Sequence, residues 1–426
     1  MKIAWQSVQA EALDSLRALI RLDTSNPPGN ERLATDYLFG QLAKYQVKPV
    51  IIESAPSRAN LVARLKGKNS ALEPLMISSH TDVVPAEGDR WKFPPFSAEL
   101  AEGCVWGRGA LDMKAKVAMD LAVVGALARV GATPERDLIL AAVADEEAGS
   151  ELGAKFLVER HPELVRCGYV LNEVGGFTMF FGERRFYPIQ VAEKGFVTVR
   201  MTTRALPGHS SVPRADSAIA QIAELITKIT RTPMRRRMTP LMRHLFDRIG
   251  ISSEHDIPMF RAMLSNTVVP TILRAGYKDN VVPGTASAIL DGRTLPGEDA
   301  NSFIAELRSI IGPEPELEVL RTGPPVEAST RTPLFKLIAD RTEAADMGAE
   351  VVSWMIPGAT DSKFYSTLGA VCYGFAPVKL ERDTMFGSLY HGNDERLPVD
   401  GFFWGLRLYT EVVMAFLGLK FNQIFQ

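Results

Sequence analysis

The segment DLILAAVAD (137–145) sets seven consecutive apolar side chains between two aspartates. A strand with one wet face alternates apolar and polar residues, whereas an unbroken apolar run of this length fits a strand covered on both faces, as in parallel sheets. LMISSH (75–80) and YVLNEVGG (169–176) read the same way, and VIIES and ANLVARL add two further strands. Between them lie segments of helical period: Val8–Arg21, Asn30–Lys44, MKAKVAMDLAVVGALARVGA after Asp112, and GAKFLVERH. Strands alternating with helices predict an α/β fold, a mostly parallel sheet flanked by helices.

The pattern changes near Lys194. GFVTVRMTTRA, TILRAGY and SAILDGRTL alternate apolar with polar residues, as one-sided antiparallel strands do. SAIAQIAELITKI and NSFIAELRSII read as helices, LEVLRTG as a last strand, and RTPMRRRMTPLMRHLF between them as a basic stretch without clear period. A chain of 426 residues exceeds what one core usually supports. The expectation is therefore an α+β unit, 193–325, inserted between two parts of a larger domain, 1–192 and 326–426. Arg235–Arg237 read as a solvated face or the approach to a partner subunit.

Charge and leader sequences exclude several classes. A formal net charge of −2 leaves no basic footprint for nucleic acid. MKIAWQSVQA lacks the apolar stretch of a signal peptide, and no run approaches the length of a membrane span, which predicts a cytoplasmic protein without nucleic-acid or membrane partners. Cys104, Cys167 and Cys372 are few, scattered and odd in number, so they read as reduced packing residues.

The chemistry sits where strands end. His80 and Asp82 follow LMISS, Asp112 opens a helix, Asp145, Glu146 and Glu147 follow LILAAVA, and Glu173 follows YVLN. Neighbouring carboxyl ends of a parallel sheet face one crevice, so these groups are expected to meet. Burying that many carboxylates without a counter-charge would cost several kcal/mol each. A cation is implied, and one histidine with several acids suits zinc or a similar divalent ion. One ion would leave acids over, which favours two sharing a carboxylate. Taken singly, HTD reads as a satisfied strand-end histidine, DEE as an exposed helix start, and GRGALD lacks the spacing of a phosphate loop. Their joint occurrence at several strand ends outweighs those separate readings.

HTDVVP, GRGALDMK, ADEEAGSELGA, LNEVGG, LPGHSSVP, NVVPG, GATDSKF and YHGNDE occur here in the order in which similar motifs occur in the M20 family of dinuclear zinc hydrolases, and the chain resembles that family over nearly its whole length. The resemblance implies a metal-bearing α/β domain carrying an inserted ferredoxin-like lid that mediates dimerisation. It implies that His80, Asp112 and Glu173 bind one metal, that Asp112 bridges, and that Glu147 and His391 complete the second. Glu146 then resembles the general base and Asp82 the residue that orients His80. His209, by itself a surface loop residue, resembles the lid histidine that reaches a partner's active site. Asn280 and Arg293 match positions that bind a substrate carboxylate, and Gly358, Ala359 and Thr360 match a substrate-side loop. A cis peptide is implied between Asp112 and Met113. The cofactors implied are two divalent ions, zinc foremost, with cobalt or manganese as the other options. The activity implied is cleavage of an amide or peptide bond beside a free carboxylate, as in carboxypeptidases, with N-acyl-amino-acid deacylation as the alternative. A binding protein that had lost the chemistry would lack a ligand or the base, and all of them are present.

Overall fold

A computed structural model of the chain describes residues 2–252, 258–382 and 386–426. They fall into two compact units, one built from 1–191, 328–353 and 360–426, the other from 192–327 with 354–359.

In the first unit the strands lie in the order 50–55, 58–65, 138–143, 75–80, 169–172, 371–374 and 184–193. The four central strands run parallel, in register from Leu75↔Leu138 to His80↔Val143 and from Val371↔Tyr169 to Gly374↔Asn172, while the flanking strands are antiparallel. The parallel character is thus confined to the centre of the sheet. Every residue of Leu75–His80 and Leu138–Val143 is buried, which is why those segments read as continuous apolar runs. Met76, Ile139, Ala141 and Val170 pack with Leu157 and Tyr365 on one face. The helix Lys114–Arg129 packs against the strand Leu75–His80. It is buried nearly all round, and it accommodates Lys116 by pairing it with Asp120 (2.9 Å) and with the carbonyl of Ser78 (3.0 Å).

The second unit carries the antiparallel sheet 267–275, 285–294, 195–204, 316–323, in that spatial order. With the helices Ala218–Arg231 and Ala300–Ile311 as connections, this is a βαββαβ arrangement of ferredoxin-like topology. Val197, Val199, Met201, Ile222, Leu290 and Phe303 form its core, one face of each alternating strand against the apolar stripe of each helix. Trp354–Ala359 join this unit from far along the chain: the Trp354 ring meets Phe260, and the Gly358 carbonyl accepts from the Lys194 N–H (3.1 Å).

The basic stretch without clear period contains a helix, Pro240–Ile249. Thr239 caps it, its Oγ1 accepting from the Met242 N–H, proline takes the first turn, and Gly250 ends it at φ 71°. Thr-Pro before LMRHLF was a legible start signal. Arg237 is not simply solvated, because Glu298 and Glu306 of its own unit hold it at 3.1 Å each.

Candidate metal and catalytic centre

His80 is the last residue of its strand and is 1 % exposed. Its Nδ1 lies 3.0 Å from the backbone carbonyl of Asp82. A carbonyl only accepts, so Nδ1 carries the proton and donates it, and Nε2 is turned toward Asp112 Oδ1 (3.1 Å) and Glu173 Oε2 (3.5 Å). The Asp82 carboxylate stands 3.6 Å from Nδ1 and has other work. It accepts from the backbone N–H groups of Glu146 and Glu147 (3.1 Å each) and from Asn26 Nδ2 (2.8 Å). The Asp82 carbonyl thus makes the closer contact to His80 Nδ1, and the Asp82 carboxylate, beside the same nitrogen, also organises the turn bearing the two glutamates.

That turn, Glu146–Ala148, follows Asp145, which sits at φ 67°. The sequence grouped Asp145 with the converging acids, but its carboxylate is engaged elsewhere. Oδ1 accepts from Arg58 Nη2 (2.7 Å) and Asn26 Nδ2 (3.1 Å), and Oδ2 from the Leu152 N–H (3.0 Å). Arg58 also grips Glu31 through two contacts of 2.6 and 2.7 Å. With Asp145 so held, the turn is anchored from behind and Glu146 and Glu147 are free to face the other way.

Asp112 uses both oxygens. Oδ1 faces His80, and Oδ2 lies 3.2 Å from His391 Nε2, which is itself 3.1 Å from Glu147 Oε2. Two groups of three result among the described residues, His80–Asp112–Glu173 and Asp112–Glu147–His391, and within each the donor atoms lie inside 4.8 Å of one another. The Asp112–Met113 peptide is cis, as the resemblance implied.

Charge crowding shows in the acidities. Burial, then the negative charge of Glu173, holds the Glu146 carboxyl well above the usual carboxylate range. Burial likewise pushes Glu173 up to about 7 and raises Glu147. Asp112 moves the other way: burial would raise it, but its contacts with His391 and His80 hold it low. The carboxylates of Asp112 and Glu147 push His391 up to about 10. His80 is likewise lifted well above its ordinary value by Glu173, Asp112 and Asp82, although burial opposes its charge.

The donor set fits metal ions. One oxygen in each group, Glu173 Oε1 and Glu147 Oε1, is buried with no hydrogen-bond donor, and an unpaired buried carboxylate oxygen is costly unless a cation meets it. One histidine and two carboxylates per group, with one carboxylate shared, is a composition that zinc, cobalt or manganese accepts.

Five of the remaining expected residues lie in the second unit. His209 pairs with Val281 in a two-residue ladder, and the Asn280 carbonyl accepts from the Ser210 N–H (3.2 Å), so His209 and Asn280 are neighbours. His209 Nδ1 accepts the Ser211 N–H (3.2 Å), which assigns its proton to an outward Nε2. Arg293 is held by Asp291 through two 3.0 Å contacts. The strand Thr285–Thr294 starts beside the His209 segment and has Arg293 eight positions further on, about 26 Å away along an extended strand. Arg293 thus does not join His209 and Asn280 within one chain. Gly358 and Ala359 also belong to this unit. Thr360, in the first unit, is buried and accepts from Asn172 Nδ2 and the Ser362 N–H (3.2 Å each).

Sequence reasoning missed Asn26, Arg58, Arg108 and Glu395, which support the centre from behind. Arg108 and Glu395 stand inside GRGALD and YHGNDE, where a charged residue within a glycine-rich or ligand-bearing segment was the available signal. Asn26 and Arg58 carried none.

The model of peptidase family M20/M25/M40 matches residues 76–415. A probable carboxypeptidase S-like protein 2 of Dictyostelium discoideum is 27% identical over 386 residues, 80% of this chain and 72% of that protein. Aminoacylase-1B of Rattus norvegicus is 30% identical over 377 residues, 85% of each chain. Among solved structures, an M20 family metallo-carboxypeptidase of Sulfolobus solfataricus superposes with a TM-score of 0.77 at 19% identity, over 96% of this chain and all of that one. At that identity the last likeness speaks for the fold alone.

Proposed function

This chain belongs to peptidase family M20/M25/M40 and is a hydrolase of amide bonds, and from that premise we propose that it cleaves a peptide or amide bond beside a free carboxylate, as a metallo-carboxypeptidase, with Glu146 as its general base. The carrying observation is the pair of three-residue groups sharing Asp112, with Glu146 next to one of their members. His80, Asp112 and Glu173 hold one divalent ion in this reading, and Asp112, Glu147 and His391 the other, zinc being the ion the donor set suits best. A bound pair of such ions supplies Lewis-acid polarisation of the scissile carbonyl and acidifies water for attack near neutral pH. Glu146 takes the proton of the attacking water and returns it to the leaving amine. The Asp82 carboxylate holds the Glu146 and Glu147 backbone, so base and ligand move as one piece.

His209 donates from Nε2 to the oxyanion, Asn280 and Arg293 bind the substrate carboxylate, and the loop Gly358, Ala359 and Thr360 borders the substrate. Because Arg293 is remote from His209 and Asn280 on one chain, the three serve one substrate only if two subunits contribute. The proposed assembly is therefore a homodimer through the inserted unit. Mixing Glu146→Gln with His209→Ala protein under subunit exchange should restore activity from a near-zero baseline; exchange without recovery counts against a shared site. No helix among the described residues is long and apolar enough to cross a membrane. Three cysteines outside any disulfide favour a reducing, cytoplasmic setting.

Replacing Glu146 by glutamine should leave both metals bound while turnover falls by at least about 10²-fold, the usual contribution of a general base. Near-normal turnover of a metal-loaded Glu146→Gln protein would remove Glu146 from the role. Deacylation of N-acyl amino acids is the second reading, favoured by the similarity to rat aminoacylase-1B. Parallel kcat/KM measurements on dipeptides and N-acyl amino acids, with zinc, cobalt or manganese added, separate the two.

A further inference from the structure

The two ligand groups share Asp112 but are otherwise supported differently, and one buried ion pair reaches the shared Asp112 and, beyond it, His391 of the second group. Glu395 is fully buried, and its carboxylate takes four donors. Oε1 accepts from the backbone N–H of Leu111 (2.6 Å) and Asp112 (3.1 Å), and Oε2 from the N–H of Gly109 (3.0 Å) and Nη1 of Arg108 (2.7 Å). The Glu395 carbonyl also accepts from the Gly107 N–H (2.9 Å). The whole loop that delivers Asp112 is thus wrapped around one carboxylate. Arg108, 2 % exposed, turns Nη2 to the carbonyls of His391 (3.4 Å) and Pro85 (3.5 Å) and lies over the Trp91 ring. His391 is held at φ 58°, a left-handed backbone that a side-chain-bearing residue keeps only with support. His80 has a separate anchor in the Asp82 carbonyl, and Glu173 follows a different strand.

We propose that the Arg108–Glu395 pair is the positioning device of the second group: it sets Asp112 and His391 to face Glu147 at the spacing a divalent ion requires. The proposal rests on the metallohydrolase reading above. Glutamine at 395 cannot substitute. It offers one acceptor oxygen, and whichever way its amide is turned the NH2 confronts two of the four donors. Lysine at 108 keeps the charge beside Glu395 but loses the fork that reaches both Glu395 and His391.

The test is metal uptake by the full-length protein, stripped by chelation and then titrated calorimetrically with Zn2+ and followed optically with Co2+. The wild-type protein is expected to take two equivalents. In Glu395→Gln and in Arg108→Lys, one equivalent should weaken about 10- to 100-fold, the usual effect of losing a partner behind a metal ligand, while the other, which shares Asp112 but keeps His80 and Glu173, weakens clearly less; a His391→Ala protein should lose that same equivalent. General loosening of the fold would lower both sites together, so equal weakening of both overturns the proposal, as does two-site binding unchanged in both variants. If Glu395→Gln does not fold, the charge-preserving Arg108→Lys decides alone. A wild-type protein that takes up no metal instead overturns the metallohydrolase reading beneath.

Discussion

Asp82→Asn separates two roles for one carboxylate. If the side chain orients His80, its replacement should cost metal at the His80–Asp112–Glu173 group. The geometry points the other way, because the His80 Nδ1 proton goes to the Asp82 main-chain carbonyl at 3.0 Å, while the carboxylate holds the N–H groups of Glu146 and Glu147 at 3.1 Å each. Asparagine keeps the shape but only one acceptor oxygen. Asn26 already donates to Oδ2, so the amide settles with its oxygen toward Asn26 and Glu147 and its NH2 against the Glu146 N–H. That removes one charge-assisted hydrogen bond and leaves a buried donor unmatched, about 1–3 kcal/mol. If all of it appears as lost placement of the base, turnover falls roughly 5- to 150-fold, at about 1.4 kcal/mol per factor of ten. The assay is kcat for metal-saturated enzyme beside a metal titration of the stripped protein. Loss of metal from the His80 group, with turnover per loaded site unchanged, would refute this assignment and restore the carboxylate as the orienting group.

Arg58→Met should destabilise the protein by about 3–5 kcal/mol in urea unfolding, because Glu31 and Asp145 would stay buried without their cation; a loss under about 1 kcal/mol would show that these acids are neutral or hydrated in the fold. The Cys167 thiol, pushed from 9.0 up to about 12 by burial, holds its proton more tightly folded than unfolded. Its contribution to stability is therefore present below about pH 9 and lost as the pH rises from there toward 12. A thiol reagent at about pH 8 should accordingly modify the half-buried Cys104 well before Cys167, which should react only as the protein unfolds. Equal rates at the two sites would contradict that.

What the sequence determined by itself was what local period and residue chemistry encode. Unbroken apolar runs meant strands buried on both faces, alternation marked the antiparallel strands of the second unit, and a histidine or acid at a strand end marked a candidate ligand, because such groups cannot sit in those runs unpaired. Family resemblance then distributed roles among His80, Asp112, Glu146, Glu147, Glu173 and His391. A cap signal was present but overlooked at Thr239–Pro240, where arginines masked a helix whose apolar residues face inward. Direction of a side chain was a different matter. Asp145, Glu146 and Glu147 are adjacent acids, yet Asp145 turns back to Arg58 at φ 67° while its neighbours face the centre; nothing local distinguishes them, since the choice depends on a guanidinium 87 positions away. Asp82 and His80 are two residues apart, a spacing that serves a side-chain contact or a main-chain one, and the tertiary fold is what brings the donors of Asn26 and the Glu146 turn to the carboxylate. Glu395 and Arg108 lie 287 positions apart. Their union around the Asp112 loop is a consequence of burial: once the chain closes, each charge has lost its water, and the other is the partner left within reach.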